Sequence, residues 1–214
     1  MEKKIKIITL GESGVGKTSI IQRICKKEFH EDMASTIGFQ YEEITKEYTK
    51  KNIIMKLSFI DTAGQEQYSE LPKMYLRGCH IVLLVFSDLI SLETIKNRLY
   101  DIYIDSANIE YSKFILVGNK SDTFGENKDK IKEEGMKFAE NIDAFFLTCS
   151  AKSEDNIDNL ENIIVTEAKR IIDEEEKARK FINGSIGNDS AENDIFMMRF
   201  NSREEKSRSN GCNC

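Results

Sequence analysis

Short runs of branched apolar residues recur along this chain, separated by longer stretches whose apolar positions return every three or four residues. Lys3 to Leu10 carries Ile5, Ile7, Ile8 and Leu10 and reads as a buried strand. Phe39 to Thr49 and Ile53 to Ile60 read as two strands joined by a polar turn at Lys50-Lys51-Asn52. Ile81–Phe86, Phe114–Val117 and Phe145–Leu147 are further short runs of the kind that fills a strand covered on both faces. The spacing predicts helices over Thr18–Lys27, Gln67–Arg77, Ser91–Asp105, Glu126–Asn141 and Asn156–Lys180. In the last of these, Ile157, Leu160, Ile163, Ile164 and Ile171 share one face. Strands alternating with helices predict an α/β fold: a doubly wound, mostly parallel six-stranded sheet with helices on both faces. Ligands of such sheets bind beyond the C-terminal ends of the strands.

Composition narrows the class. The chain has 214 residues, 40% hydrophobic and 32% charged, as an ordinary globular protein has. The formal net charge of −6 argues against nucleic acid as a partner. No run of about 18 apolar residues is present, so no membrane-spanning helix is expected. The start, Met1-Glu-Lys-Lys-Ile-Lys, runs straight into a strand pattern, and no signal peptide is expected. Cys25, Cys79 and Cys149 sit among apolar neighbours as small core residues, in keeping with a reducing compartment. Composition shifts after Phe181 to Asn, Ser, Gly and charge, which divides the chain into a domain over residues 1–182 and a flexible tail over 183–214. One apolar island, Ile195-Phe-Met-Met198, interrupts the tail; it is either a chance cluster or a peptide that orders on a partner.

The candidate chemistry follows the strands. Gly11-Glu-Ser-Gly-Val-Gly-Lys-Thr18 fits the pattern G-x-x-x-x-G-K-[ST] between a strand and a helix. Its glycines let backbone N–H groups turn inward toward phosphates, and the helix N-terminus adds partial positive charge. The candidate phosphate contacts are Ser13, Gly14, Val15, Gly16, Lys17, Thr18 and Ser19, with Lys17 reaching the outer phosphates. Asp61-Thr-Ala-Gly-Gln65 follows the third strand. There Asp61 can hold Mg²⁺ through water, and Thr18 offers it a hydroxyl. Gly64 can bring its N–H to the terminal phosphate. Asn119-Lys-Ser-Asp122 follows the fifth strand, and Asp122 can accept from both donors on a guanine edge while repelling adenine. Asn119 is placed to brace the loops, and the stem of Lys120 to cover the ring. In Ser150-Ala-Lys152, after the sixth strand, the Ala151 N–H can meet the guanine carbonyl oxygen.

Four motifs in this order resemble the Ras superfamily of small GTPases, over about Lys4 to Ile172, and the ending Cys212-Asn-Cys214 resembles the Rab branch. The resemblance implies GTP hydrolysis with bound Mg²⁺, and it assigns Gln65 to orienting the attacking water. It makes Thr36, in Ser35-Thr-Ile-Gly38, a second hydroxyl ligand of the ion. Phe29 matches the aromatic that stacks on the base; the other reading is a phenylalanine packing the helix end. Cys212 and Cys214 match the Rab ending that takes two geranylgeranyl groups, two chains being what stable anchoring needs. The other reading is a thiol pair, although two thiolates make a poor closed zinc site.

The implied protein is a monomeric switch on the cytoplasmic face of an intracellular membrane, exchanging with cytosol and acting in vesicle traffic. Its implied partners are an exchange factor, a GTPase-activating protein, a prenyl-dependent escort protein and effectors. The alternatives are a Ras- or Rho-like signalling GTPase and a GTP-binding module with little hydrolysis. Departures from the Rab pattern fall where effectors read: Phe39-Gln-Tyr41 after Gly38, Ile60 in place of a tryptophan, and Gln67-Tyr68 in place of Arg-Phe.

Overall fold

A computed structural model describes residues 1–31, 39–62, 78–99 and 112–185. The chain divides into two units, Met1–Lys169 and Arg170–Cys214.

The first unit is built on one six-stranded sheet. Its strands are β1 (Glu2–Leu10), β2 (Phe39–Tyr48), β3 (Ile53–Thr62), β4 (Ile81–Phe86), β5 (Lys113–Gly118) and β6 (Phe145–Thr148). The spatial order is β2-β3-β1-β4-β5-β6. Only the β2–β3 pair is antiparallel; the other four pairings are parallel. The β2–β3 connection is short enough to be antiparallel because Thr49–Lys51 forms one 3₁₀ turn closed by Asn52 in the left-handed region, φ 52°. Parallel neighbours need a crossover connection.

Period-two alternation sends successive strand residues to opposite faces. Ile8, Leu10, Val82, Leu84, Phe86, Phe114 and Leu116 belong to one buried cluster. The intervening Ile5, Ile7, Leu83, Val85, Ile115 and Val117 are also buried, so both faces are covered. This double burial is why β4 and β5 read as unbroken apolar runs.

Helix α1 (Lys17–Lys26) buries Ile20, Ile21 and Ile24. Helix α2 (Leu89–Thr94) begins two residues before the position predicted from spacing, because Asp88 caps it. The Ser91 N–H donates to Asp88 Oδ1 at 2.8 Å, and the Asp88 N–H donates to Ser91 Oγ at 3.1 Å. From Ile95 to Leu99 the chain is π-helical. Helix α3 (Lys128–Asn141) starts later than predicted, because Gly125–Asn127 forms a separate 3₁₀ turn with Gly125 at φ 51°. It packs hard on β6: a Cβ at Gly135 would lie 2.6 Å from the Phe146 ring.

Helix α4 (Ile157–Ser185) runs beyond the predicted Lys180. Within the first unit it buries Ile157, Leu160 and Ile164, while Ile163 is only half-buried. Its Glu161 pairs with Lys27 of the α1 end at 2.9 Å and with Lys46 of β2. Burial works to raise the Glu161 pKa, but hydrogen bonds from the two lysines outweigh it and hold the carboxyl below its usual range. In the second unit, the described residues Arg170–Ser185 continue as helix, with an Arg170–Glu174 pair at 3.3 Å. No described helix is long and apolar enough to cross a membrane.

Cys79 and Cys149 are buried, as their apolar neighbours suggest, whereas Cys25 is half-buried. Burial pushes the thiols of Cys25 and Cys149 up to about 12. The predicted helix Gln67–Arg77 lies outside the described residues, as does the end of the predicted Ser91–Asp105.

Candidate nucleotide-binding site

The phosphate motif forms the link from β1 to α1. Gly14 and Gly16 have φ 79° and 92°, a region where a side chain is strained. Gly11 is needed for space: a Cβ there would lie 2.1 Å from the Val85 carbonyl oxygen. The Lys17 ammonium donates to the carbonyls of Gly11 at 2.6 Å and Glu12 at 3.0 Å, which folds its stem across the mouth of the loop. Thr94 of α2 donates to Glu12 Oε1 at 2.8 Å and steadies the outer side.

Beside the loop, β3 delivers Asp61. Its Oδ2 accepts from Thr18 Oγ1 at 2.6 Å, and its Oδ1 lies 3.4 Å from Thr9 Oγ1. Thr62 Oγ1 donates to the Thr9 carbonyl at 2.8 Å, which locks the ends of β1 and β3 together. A hydroxyl and a carboxylate side by side at a phosphate cradle are hard oxygen donors. They fit Mg²⁺, which takes one or two protein oxygens and completes its shell with phosphates and water.

The opposite end of the site is held by Asn119. Its Nδ2 donates to the Val15 carbonyl at 2.9 Å, and its Oδ1 accepts the Ala151 N–H at 3.1 Å. One side chain thereby joins the loop Gly11–Thr18 to the Ser150–Lys152 loop. Ser150 is fully buried, and its hydroxyl donates to Asp122 Oδ1 at 2.6 Å. This fixes the carboxylate and leaves it acceptor capacity toward the pocket. Ala151 commits its N–H to Asn119 in this geometry.

These parts enclose a cavity of about 380 Å³. Its lining includes Ser13, Gly14, Gly16, Lys17, Thr18, Ser19, Phe29, Asn119, Lys120, Asp122, Ala151 and Lys152. Of the residues expected at the nucleotide, Val15 and Ser150 are buried behind this wall and shape it. Thr36, Gly64, Gln65, Cys212 and Cys214 lie outside the described residues. Phe29 is half-buried and lines the same cavity as Lys120 and Asp122.

His30, Glu31, Thr62 and Thr123 also line the cavity and were not expected from the motifs. Glu31 meets Lys152 across its rim at 2.5 Å; hydrogen bonding between them raises the lysine pKa and lowers that of the glutamate. A further residue absent from the motifs is Arg23, whose Nε donates to the Ala151 carbonyl at 2.9 Å.

A second cavity of about 460 Å³ lies between β6 and α4, lined by Phe145, Leu147 and Ile163 with a rim of Asn156, Asn159 and Asn162. It holds none of the motif residues and carries none of the chemistry above.

Comparison with known proteins places this geometry among relatives. The Ras family model matches residues 6–170. Ras-related protein RabC of Dictyostelium discoideum is 34% identical over 189 residues, covering 86% of this chain and 94% of that protein. Ras-related protein Rab-18 of Lymnaea stagnalis is 36% identical over 157 residues, 72% of this chain and 74% of its own. Ras-related protein SEC4 of Candida albicans is 34% identical over 158 residues, 73% of each.

Proposed function

The chain belongs to the Ras family of small GTPases, Rab-like within it and a GTP hydrolase, and from that membership we propose that it is a membrane-anchored switch in vesicle-mediated trafficking. The observation that supports a guanine-specific switch most directly is the convergence of separated motifs on one cavity. Gly14, Lys17 and Thr18 face Asn119, Lys120, Asp122 and Ala151 across it.

In this reading the phosphates lie against the loop Ser13–Ser19 and the base against Asp122, Lys120 and Phe29. Thr18 and Thr36 would hold Mg²⁺ directly and Asp61 through water, and the ion would supply neutralisation of phosphate charge. Gln65 orients the attacking water. Contacts from Thr36 and Gly64 to the terminal phosphate order their segments in the GTP state and are lost after hydrolysis, which is how nucleotide state becomes a readable surface. Unaided turnover is slow, on the order of 10⁻⁴ to 10⁻³ per second by analogy with Ras, so an activating protein and an exchange factor set the cycle. Lipids on Cys212 and Cys214, carried by an escort protein in cytosol, hold the chain on the cytoplasmic face of an intracellular membrane.

Two measurements test this. Gln65→Leu is expected to lower single-turnover GTP hydrolysis at least about tenfold while GTP affinity is kept; unchanged turnover removes Gln65 from the chemistry. Imaging of the N-terminally tagged chain in its own cells is expected to show organelle-bound wild type and a diffuse Cys212→Ser/Cys214→Ser variant. Diffuse signal from both would leave the GTPase and discard the membrane role.

A further inference from the structure

Arg23 lies on α1 outside every nucleotide motif, yet it contacts both walls of the base compartment. Its Nε donates to the Ala151 carbonyl at 2.9 Å and its Nη2 to the Lys152 carbonyl at 3.2 Å. Its Nη1 donates to the Lys27 carbonyl at 3.3 Å, at the end of the same helix. The guanidinium carbon lies 5.5 Å from the centroid of the Phe29 ring, within the range of a cation–π contact. Glu154 approaches the outer side at 4.0 Å, and the Arg23 side chain is only 14% exposed.

These contacts give a division of labour around one loop. Asn119 holds the Ala151 N–H, and Arg23 holds the carbonyls of Ala151 and Lys152. The same guanidinium lies over Phe29. Hydrogen bonds from an ionised donor are the stronger kind, and the planar fork engages several acceptors at fixed angles. A lysine would bring a point charge to one carbonyl and would lose the stacking geometry.

We propose that Arg23 is a positioning residue that sets the rate of nucleotide release from the base side, acting through the Ala151–Lys152 loop and Phe29 without touching the nucleotide. The proposal rests on the reading of this pocket as a guanine-nucleotide site.

The test uses the full chain loaded with GDP carrying a fluorescent label on the ribose, chased with excess unlabelled GDP. Arg23→Ala is expected to release the label roughly tenfold faster than wild type, with Arg23→Lys in between. Bound nucleotide per protein is measured alongside. Positioning changes the release rate at unchanged stoichiometry, whereas a damaged fold lowers stoichiometry and leaves the rate of the surviving molecules unchanged.

An Arg23→Ala rate within about twofold of wild type, or lost stoichiometry at the wild-type rate, overturns the proposal. Arg23→Lys releasing as slowly as wild type overturns it too, since one point charge would then suffice. A wild-type chain that takes up no guanine nucleotide removes the underlying reading, and that arm is read first.

Discussion

Asp122→Asn is expected to weaken GDP and GTP binding by roughly 30- to 4,000-fold, the equivalent of about 2–5 kcal/mol for losing one partner of a desolvated charged contact. The carboxylate is held by a 2.6 Å hydrogen bond from the buried Ser150 hydroxyl, so in the proposed binding mode it would meet the base as a fixed acceptor. Guanine presents two donors on that edge, whereas an asparagine presents one acceptor and one donor group. Xanthine replaces the exocyclic amine by a carbonyl, which an amide N–H can satisfy, so the variant is expected to shift preference toward XDP. The Ser150 hydroxyl can still donate to the amide oxygen, so the loop keeps its anchor and the fold is retained. Competition of GDP and XDP against a labelled nucleotide reads the result. Wild-type GDP affinity after the exchange would remove Asp122 from base recognition.

Gly16→Ala is expected to cost at least about a hundredfold in nucleotide affinity and to lower the melting temperature. Two terms add. The backbone at Gly16 sits at φ 92°, where a residue with a Cβ is strained by about 1–3 kcal/mol. The new methyl would also stand 2.3 Å from Asn119 Nδ2. A flexible side-chain end could swing away cheaply, but this one is tied to the Val15 carbonyl and, through its other amide atom, to the Ala151 N–H. Moving it leaves both of those buried groups without that partner, at about 1–3 kcal/mol each. Gly14→Ala is the informative comparison. Its φ is also positive, at 79°, but nothing lies within 4 Å of the added atom, so it carries the strain without the collision. Equal losses in the two variants, read by calorimetry with GDP, would show that strain alone decides and that the Asn119 contact adds nothing.

All six strands were legible; in β4 and β5 burial on both faces leaves a continuous apolar signature that needs no partner to be recognised, whereas β2 and β6 are largely exposed or half-buried. Their pairing order was not written in any one run. The helix ends were misjudged where a single polar residue decides: Asp88 starts α2 early through its capping box, and Gly125 delays α3 by turning the chain first. The described motif residues could be proposed for the site from sequence, since each motif packs its candidate chemistry into a few consecutive positions. Asn119 and Asp122 could be given expected roles because those roles belong to side chains. Arg23 could not, because it reaches across 128 positions to a backbone carbonyl, and a carbonyl belongs to every residue alike. Thr9 was hidden for a related reason: a threonine inside a buried strand looks like any β-former until its hydroxyl is found between the Ile60 carbonyl and Asp61.

The junction at Asn119 has a consequence for how the site responds to partial occupancy. Its two amide atoms tie the cradle on one side to the base loop on the other, so neither half can be ordered at leisure while the other drifts. A nucleoside without phosphates, or pyrophosphate without a base, must bear the ordering entropy of the whole assembly for a fraction of the contacts. The intact nucleotide meets that entropy once. Its binding free energy is therefore expected to exceed the sum for its fragments, and a regulator that disturbs either end alone is expected to loosen the whole ligand.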